Sequence, residues 1–173
     1  PKGVHLAIEA VKKYNKTAED PLTLKLAGKH YAEQAKDTYW RTRIEPELGE
    51  RVEYVGHLKD AASKQAFLGN ARGLIVPSLF HEPFGMVTIE ALACDTPVIG
   101  LTNGATSELI RDGVEGYIVQ GETDTDAVSG IVQAMQKLSA IQPGMCRSAF
   151  ENRFTIERMA CEYAALYYKV ADS

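Results

Sequence analysis

The chain has 173 residues, 45% of them hydrophobic and 24% charged, with a formal net charge of −4. That length suits one domain with its own core, and the acidic balance argues against nucleic acid as a partner. No apolar run reaches bilayer length, and the three cysteines and four histidines show no metal-ligand spacing. The first residues, PKGVHLA, carry no leader pattern, so the expected setting is a reducing cytoplasm with buried free thiols.

Residues 2–16 place Val4, Ala7, Ile8, Val11 and Tyr14 on one face, which predicts an amphipathic helix. A doubly wound domain opens on a strand, so this chain is expected to lack its first one. LTLKLAG (22–28) alternates like a strand, and Gly28 and Lys29 follow at its C-terminal end, where open α/β sheets hold their ligands. Gly28 lets a backbone come close. Lys29 is either a phosphate or base contact or an ordinary surface lysine. Residues 31–47 predict a helix with a solvated charged face, stopped near Pro46.

RVEYVG (51–56) predicts the next strand, with His57 and Leu58 at its end. Asp60 is placed to cap a helix over 61–70. GLIVPS (73–78) is a short apolar run ending in proline, a buried strand. The segment after it, FHEPFGMVTIEALACDTPVIG (80–100), holds two carboxylates eight positions apart, Glu82 and Glu90. Pro83-Phe84-Gly85 predicts the entry to a helix running from about Gly85 to Cys94. Free amides at Gly85, Met86 and Val87 would then face an anion, aided by the helix dipole.

Glu90 is the sole ionisable residue between Phe84 and Cys94. It lies about 7.5 Å along the helix from Gly85 at about 1.5 Å per residue, close to the span from a diphosphate to its ribose hydroxyls. A carboxylate accepts from two vicinal hydroxyls. The alternative is that Glu90 is a solvated helix residue and Glu82 an ordinary loop carboxylate. His81 is either an acid–base group or a buttress for Glu82, and the buttress is the simpler reading.

TPVIGL (96–101) is a second apolar strand, which predicts a sheet covered on both faces. Asn103-Gly104-Ala105-Thr106 opens a short helix containing Glu108, and Asp112, Gly113 and Gly116 are turn residues leading into the strand YIV. Helices follow over 124–140, from Pro143, and over 155–170. The last carries Ile156, Met159, Ala160, Tyr163, Leu166, Tyr167 and Val170 on one stripe, whose aromatics are expected to pack in a core. The alternation of strand and helix predicts an α/β fold: a doubly wound parallel sheet with helices on both faces, Rossmann-like.

Glu82 and Glu90 with Pro-Phe-Gly between them, embedded in EPFGMVTIEALA and followed by TPVIG, NGATSELI and DGVEGYIV, resemble the Glu-x7-Glu signature of the group-1 (family 4) retaining glycosyltransferases. The resemblance covers essentially the whole chain. It implies one half of a GT-B fold: residues 1–173 would be the nucleotide-sugar (donor) domain, the partner being an N-terminal acceptor domain of the same protein that this chain lacks. It implies transfer of a sugar from a nucleoside diphosphate to an acceptor hydroxyl with configuration kept, with no cofactor and no metal. Glu82 would be catalytic, beside the donor sugar, and Glu90 would hold the ribose. Lys2, in the family's Lys-Gly pair, would join Gly85, Met86 and Val87 on the diphosphate. Gly28, Lys29, His57, Leu58 and Gly104 would line the base and the pocket. The terminal helix would reach back to the absent domain, leaving apolar surface here, and peripheral membrane contact would fall to that domain. Asp95 departs from the family, which has glycine there. An epimerase of the same architecture and a non-catalytic nucleotide-binding module are the alternatives.

Overall fold

A computed structural model of the chain describes residues 2–29 and 37–171. Helix α1, Val4–Asn15, buries Leu6, Ala7, Ile8, Ala10 and Val11 and ends on Lys12 and Lys13, cations that suit the negative end of its dipole. Gly3 precedes it at φ 63°, and a Cβ there would lie 1.9 Å from the Pro77 carbonyl oxygen. Only glycine admits both that backbone and that approach.

Strand β1, Leu24–Ala27, pairs in parallel with β2, Val52–Gly56. Strands β3, Leu74–Val76, β4, Val98–Leu101, and β5, Gly116–Val119, form a second parallel sheet in that order. The single predicted sheet is therefore two parallel pieces among the described residues. Leu24 of the first and Ile75 of the second pack against the same core. All four residues of β4 are buried, as its unbroken apolar run predicts.

One face of β4 meets α1 and helix α5, Asp124–Lys137: Leu6, Ala10 and Val11 pack with Ile99, Leu101, Val128 and Ile131. The other face meets helix α3, Met86–Ala93, and helix α6, Met145–Arg153, through Val98, Leu92, Cys146 and Phe150. Each large side chain buried in these layers contributes about 1.5–3 kcal/mol. Helix α2, Ala61–Gly69, and the short helix α4, Thr106–Leu109, complete this side. Asp60 caps α2 as expected, accepting the Ser63 amide at 2.8 Å, and Thr123 and Asp126 cap α5 reciprocally.

Several expectations shift. Of the helix predicted over 31–47, residues 31–36 lie outside the described residues; residues 38–47 are helical, but after 38–39 the helix is of π type at Trp40–Ile44 and 3-10 at Glu45–Glu47. Pro143 does not start α6, whereas α3 opens at Gly85 as expected. In both places a glycine with left-handed backbone, Gly144 at φ 83° and Gly85 at φ 85°, is the capping residue, and the proline lies outside. Cys146 is buried, but Cys94 is only half-buried and Cys161 is exposed.

Asp95 takes a left-handed backbone at φ 58°, and its side chain has a second use. Its carboxylate accepts the Gly144 amide at 2.7 Å and the Arg147 amide at 3.1 Å. Gly144 has no side chain to cap α6, and Asp95 caps it from the turn after α3. Glu115, fully buried, is held by the Arg111 amide at 2.7 Å and the Arg111 Nε at 2.9 Å, as a buried carboxylate requires.

The last helix, α7, Ile156–Ala171, corrects the expectation of core packing. Tyr163, Tyr167 and Tyr168 are 54%, 68% and 74% exposed, and Ile156, Met159, Leu166 and Val170 are exposed with them. No helix among the described residues is long and apolar enough to cross a membrane.

Candidate functional site

Parallel pairing sends the segments after β3 and β4 out of one sheet edge, and those after β1 and β2 out of one edge of theirs. The segment after β3 carries Glu82. It runs beside the segment after β4, where the Ala105 amide donates to the Glu82 carbonyl at 3.0 Å. Gly104, at φ 85°, lies so close that a Cβ would stand 2.3 Å from the Glu82 nitrogen. Asn103 Nδ2 donates to the Ser78 carbonyl at 3.1 Å, closing the two loops on each other.

The Glu82 carboxylate, 17% exposed, accepts Lys2 Nζ at 2.7 Å and the Ser78 hydroxyl at 3.5 Å. Lys2 also lies 4.6 Å from the centre of the Phe80 ring, where a cation meets the negative face. Lys2, though exposed, thus has two partners on this loop. Gly85 sits against this group: a Cβ there would be 3.6 Å from Glu82 Cγ and 3.5 Å from Leu109 Cδ1. Helix α3 then begins with Met86 and Val87, both exposed. Their amides fall in the first turn, where a helix offers no internal acceptor. Thr88 is fully buried, and its Oγ1 finds no partner among the described residues.

One turn on, Glu90 is 34% exposed and accepts Lys64 Nζ of α2 at 3.0 Å. It is therefore neither buried nor loose. Burial pushes the Cys94 thiol, one further turn along, above its ordinary pKa; Arg147 opposes the shift and Glu90 adds to it.

The structure therefore brings Lys2, Gly85 and Gly104 to Glu82, and sets Glu90 beside Lys64. Gly28, Lys29, His57 and Leu58 stand at the ends of β1 and β2. There the Gly28 amide donates to the Gly56 carbonyl at 2.9 Å and the Tyr54 hydroxyl to the Gly28 carbonyl at 2.8 Å. His57 and His81 are exposed and Leu58 is half-buried. Two concavities elsewhere, about 280 Å³ beside Arg111, Asn152 and Arg153 and about 340 Å³ beside Gln65, Asn70 and Cys94, include neither glutamate in their walls. Sequence reasoning missed Lys64, Ser78 and Phe80. For Lys64 a signal existed: it is the one charged residue of α2, as Glu90 is of α3.

A parallel α/β domain helical on both faces, with one acid beyond a strand end and another on the helix that follows, belongs to the Rossmann-like class. Residues 1–141 match the family described as "Glycosyl transferases group 1", and the chain belongs to that family. It is 32% identical over 99 residues to the D-inositol 3-phosphate glycosyltransferase of Geodermatophilus obscurus, a match covering 56% of this chain and 22% of that protein. Its fold is that of GT-B glycosyltransferases. It is similar to Anabaena HepE, solved in complex with UDP, at a TM-score of 0.77 and 22% identity over 97% of this chain and 45% of that one. It is also similar to the C-terminal domain of the group 1 protein LpcC from Francisella tularensis, at a TM-score of 0.69 and 19% identity over 90% of this chain and 80% of that one. The chain spans less than half the length of HepE.

Proposed function

We propose that this chain is the donor-binding half of a retaining glycosyltransferase, which moves a sugar from a nucleoside diphosphate to an acceptor hydroxyl. The observation that carries the reading is the gathering of Lys2, Glu82, Gly85 and Gly104 at the N-terminus of α3, with Glu90 one turn further on. The UDP held by HepE supports a nucleotide as the ligand class. Lys2 and the amides of Met86 and Val87 meet the diphosphate, and Gly85 leaves room for it. Glu90 accepts from the ribose hydroxyls. Glu82 stands where the donor sugar follows the distal phosphate and stabilises the charge that develops there. Gly28, Lys29, His57 and Leu58 face the base, and Gly104 fixes the Glu82 loop. A lysine and helix amides carry the leaving charge in place of a metal ion.

The partner in this reading is an N-terminal acceptor domain of the same protein. The exposed stripe of α7 and the greater length of the relatives support it. A strand N-terminal to α1 would lie between β1 and β3: Gly3 abuts Pro77 just beyond β3, and Leu24 and Ile75 share one core. Membrane contact and the acceptor site belong to that domain, and the compartment is the cytoplasm.

The test is calorimetric titration of the chain with UDP, GDP and ADP. One of the three binds, and Glu90→Ala weakens it about 10- to 100-fold, the worth of hydrogen bonds to a charged group. Equal binding by both proteins ends the ribose assignment. With the full-length protein, product NMR shows the anomeric configuration kept and chelator leaves the rate unchanged; inversion or loss of rate refutes those two parts separately.

A further inference from the structure

α2 carries one charged side chain, Lys64, and α3 carries one, Glu90. They meet across the two helices at 3.0 Å, with side chains 44% and 34% exposed. The helix that presents Lys64 is anchored at both ends. Asp60 caps its start through the Ser63 amide and hydroxyl, each at 2.8 Å. Near its end the buried Thr96 hydroxyl donates to the Leu68 carbonyl at 2.8 Å. Lys64 is therefore delivered to Glu90 by a fixed scaffold. An ion pair this exposed adds little to folding, so stability gives a weak account of it. Glutamate has three rotatable bonds, and a vicinal diol needs the carboxylate plane held still. A carboxylate has about four lone-pair sites, and the ammonium engages Oε1 only, leaving Oε2 to accept from hydroxyls.

We propose that Lys64 is a positioning residue for Glu90: it holds the carboxylate oriented, so that this site distinguishes ribonucleotides from their deoxy forms. The inference rests on the ribose role given to Glu90 above. Lys64 itself touches neither phosphate nor sugar in this account.

The experiment measures the dissociation constants of the nucleoside diphosphate that binds (UDP, GDP or ADP) and of its 2′,3′-dideoxy analogue, for wild type, Lys64→Met, Lys64→Arg and Glu90→Gln. Wild type prefers the ribonucleotide by about 10- to 100-fold. Lys64→Met reduces that preference about fivefold or more and leaves the dideoxy affinity unchanged; Lys64→Arg restores most of it. Equal weakening of both ligands by Lys64→Met marks a merely structural residue and overturns the proposal, as does tighter ribonucleotide binding, which marks a lysine that only masks Glu90. If Glu90→Gln abolishes the preference and Lys64→Met leaves it intact, the positioning role fails and the ribose role stands. If both variants leave it intact, the ribose role fails with it.

Discussion

Gly104 offers the sharpest test of how the fold builds the site. Two features forbid a side chain there: a backbone at φ 85°, and a virtual Cβ 2.3 Å from the Glu82 nitrogen and 2.5 Å from its oxygen. Alanine would bear the left-handed backbone at about 1–2 kcal/mol. It would also drive the Glu82 loop away, at about 1–3 kcal/mol for overpacking, and loosen the Ala105 amide bond to the Glu82 carbonyl, worth about 1 kcal/mol. Together these come to about 3–6 kcal/mol, comparable with the whole stability of an ordinary domain. Gly113 is the internal control. It has a similar φ of 74°, but a Cβ there meets nothing within 4 Å, so Gly113→Ala should lose only about 1–2 kcal/mol. Urea unfolding of the two variants, followed by circular dichroism, gives the difference, and nucleotide titration shows whether displacing Glu82 costs binding. Equal destabilisation by the two alanines would refute the argument, because the backbone alone would then account for everything.

Asp95→Ala forfeits two capping bonds to α6 while keeping a left-handed non-glycine backbone, and should lose about 1–2 kcal/mol in urea unfolding. Asp95→Gly loses the same caps but relieves the backbone, and should retain about 1 kcal/mol more than the alanine variant; equal midpoints would remove the capping account. Burial, with Asp95 and Glu115 nearby, pushes the Cys146 thiol up to about 12, so it stays protonated and unreactive at pH 8 while exposed Cys161 is labelled by a disulfide reagent. Rapid labelling of Cys146 in the folded chain, located by peptide mass analysis, would show that α6 does not close over it.

The architecture was legible because each element declares itself locally. The unbroken run in β4 implied a strand covered on both faces, and the stripe along α5 implied the helix that covers one of them. What failed was also local: Pro143 is a familiar helix opener, but the backbone turns at the glycine that follows, Gly144. The amphipathic stripe of α7 was correctly located and wrongly assigned to a core, because periodicity reports which face is apolar and not what covers it. The sequence shows Asp95 only as a departure from the family's glycine; the partners of its carboxylate lie about fifty residues away, at the start of α6.

The same limit governs the site. Glu82, Gly85 and Glu90 lie in one segment and can be read together, but their charge partners arrive from elsewhere: Lys2 from 80 residues upstream and Lys64 from 26. The partners change the electrostatic argument. Read alone, the two glutamates would repel a diphosphate on a chain already at −4. Each in fact faces a lysine, so the four side chains carry no net formal charge. Much of the attraction for an anion then falls to the first-turn amides of α3, whose dipole supplies about half a positive charge. On the proposed reading the phosphates bind at those amides together with Lys2, and Gly85 supplies the left-handed turn that opens the helix at that point.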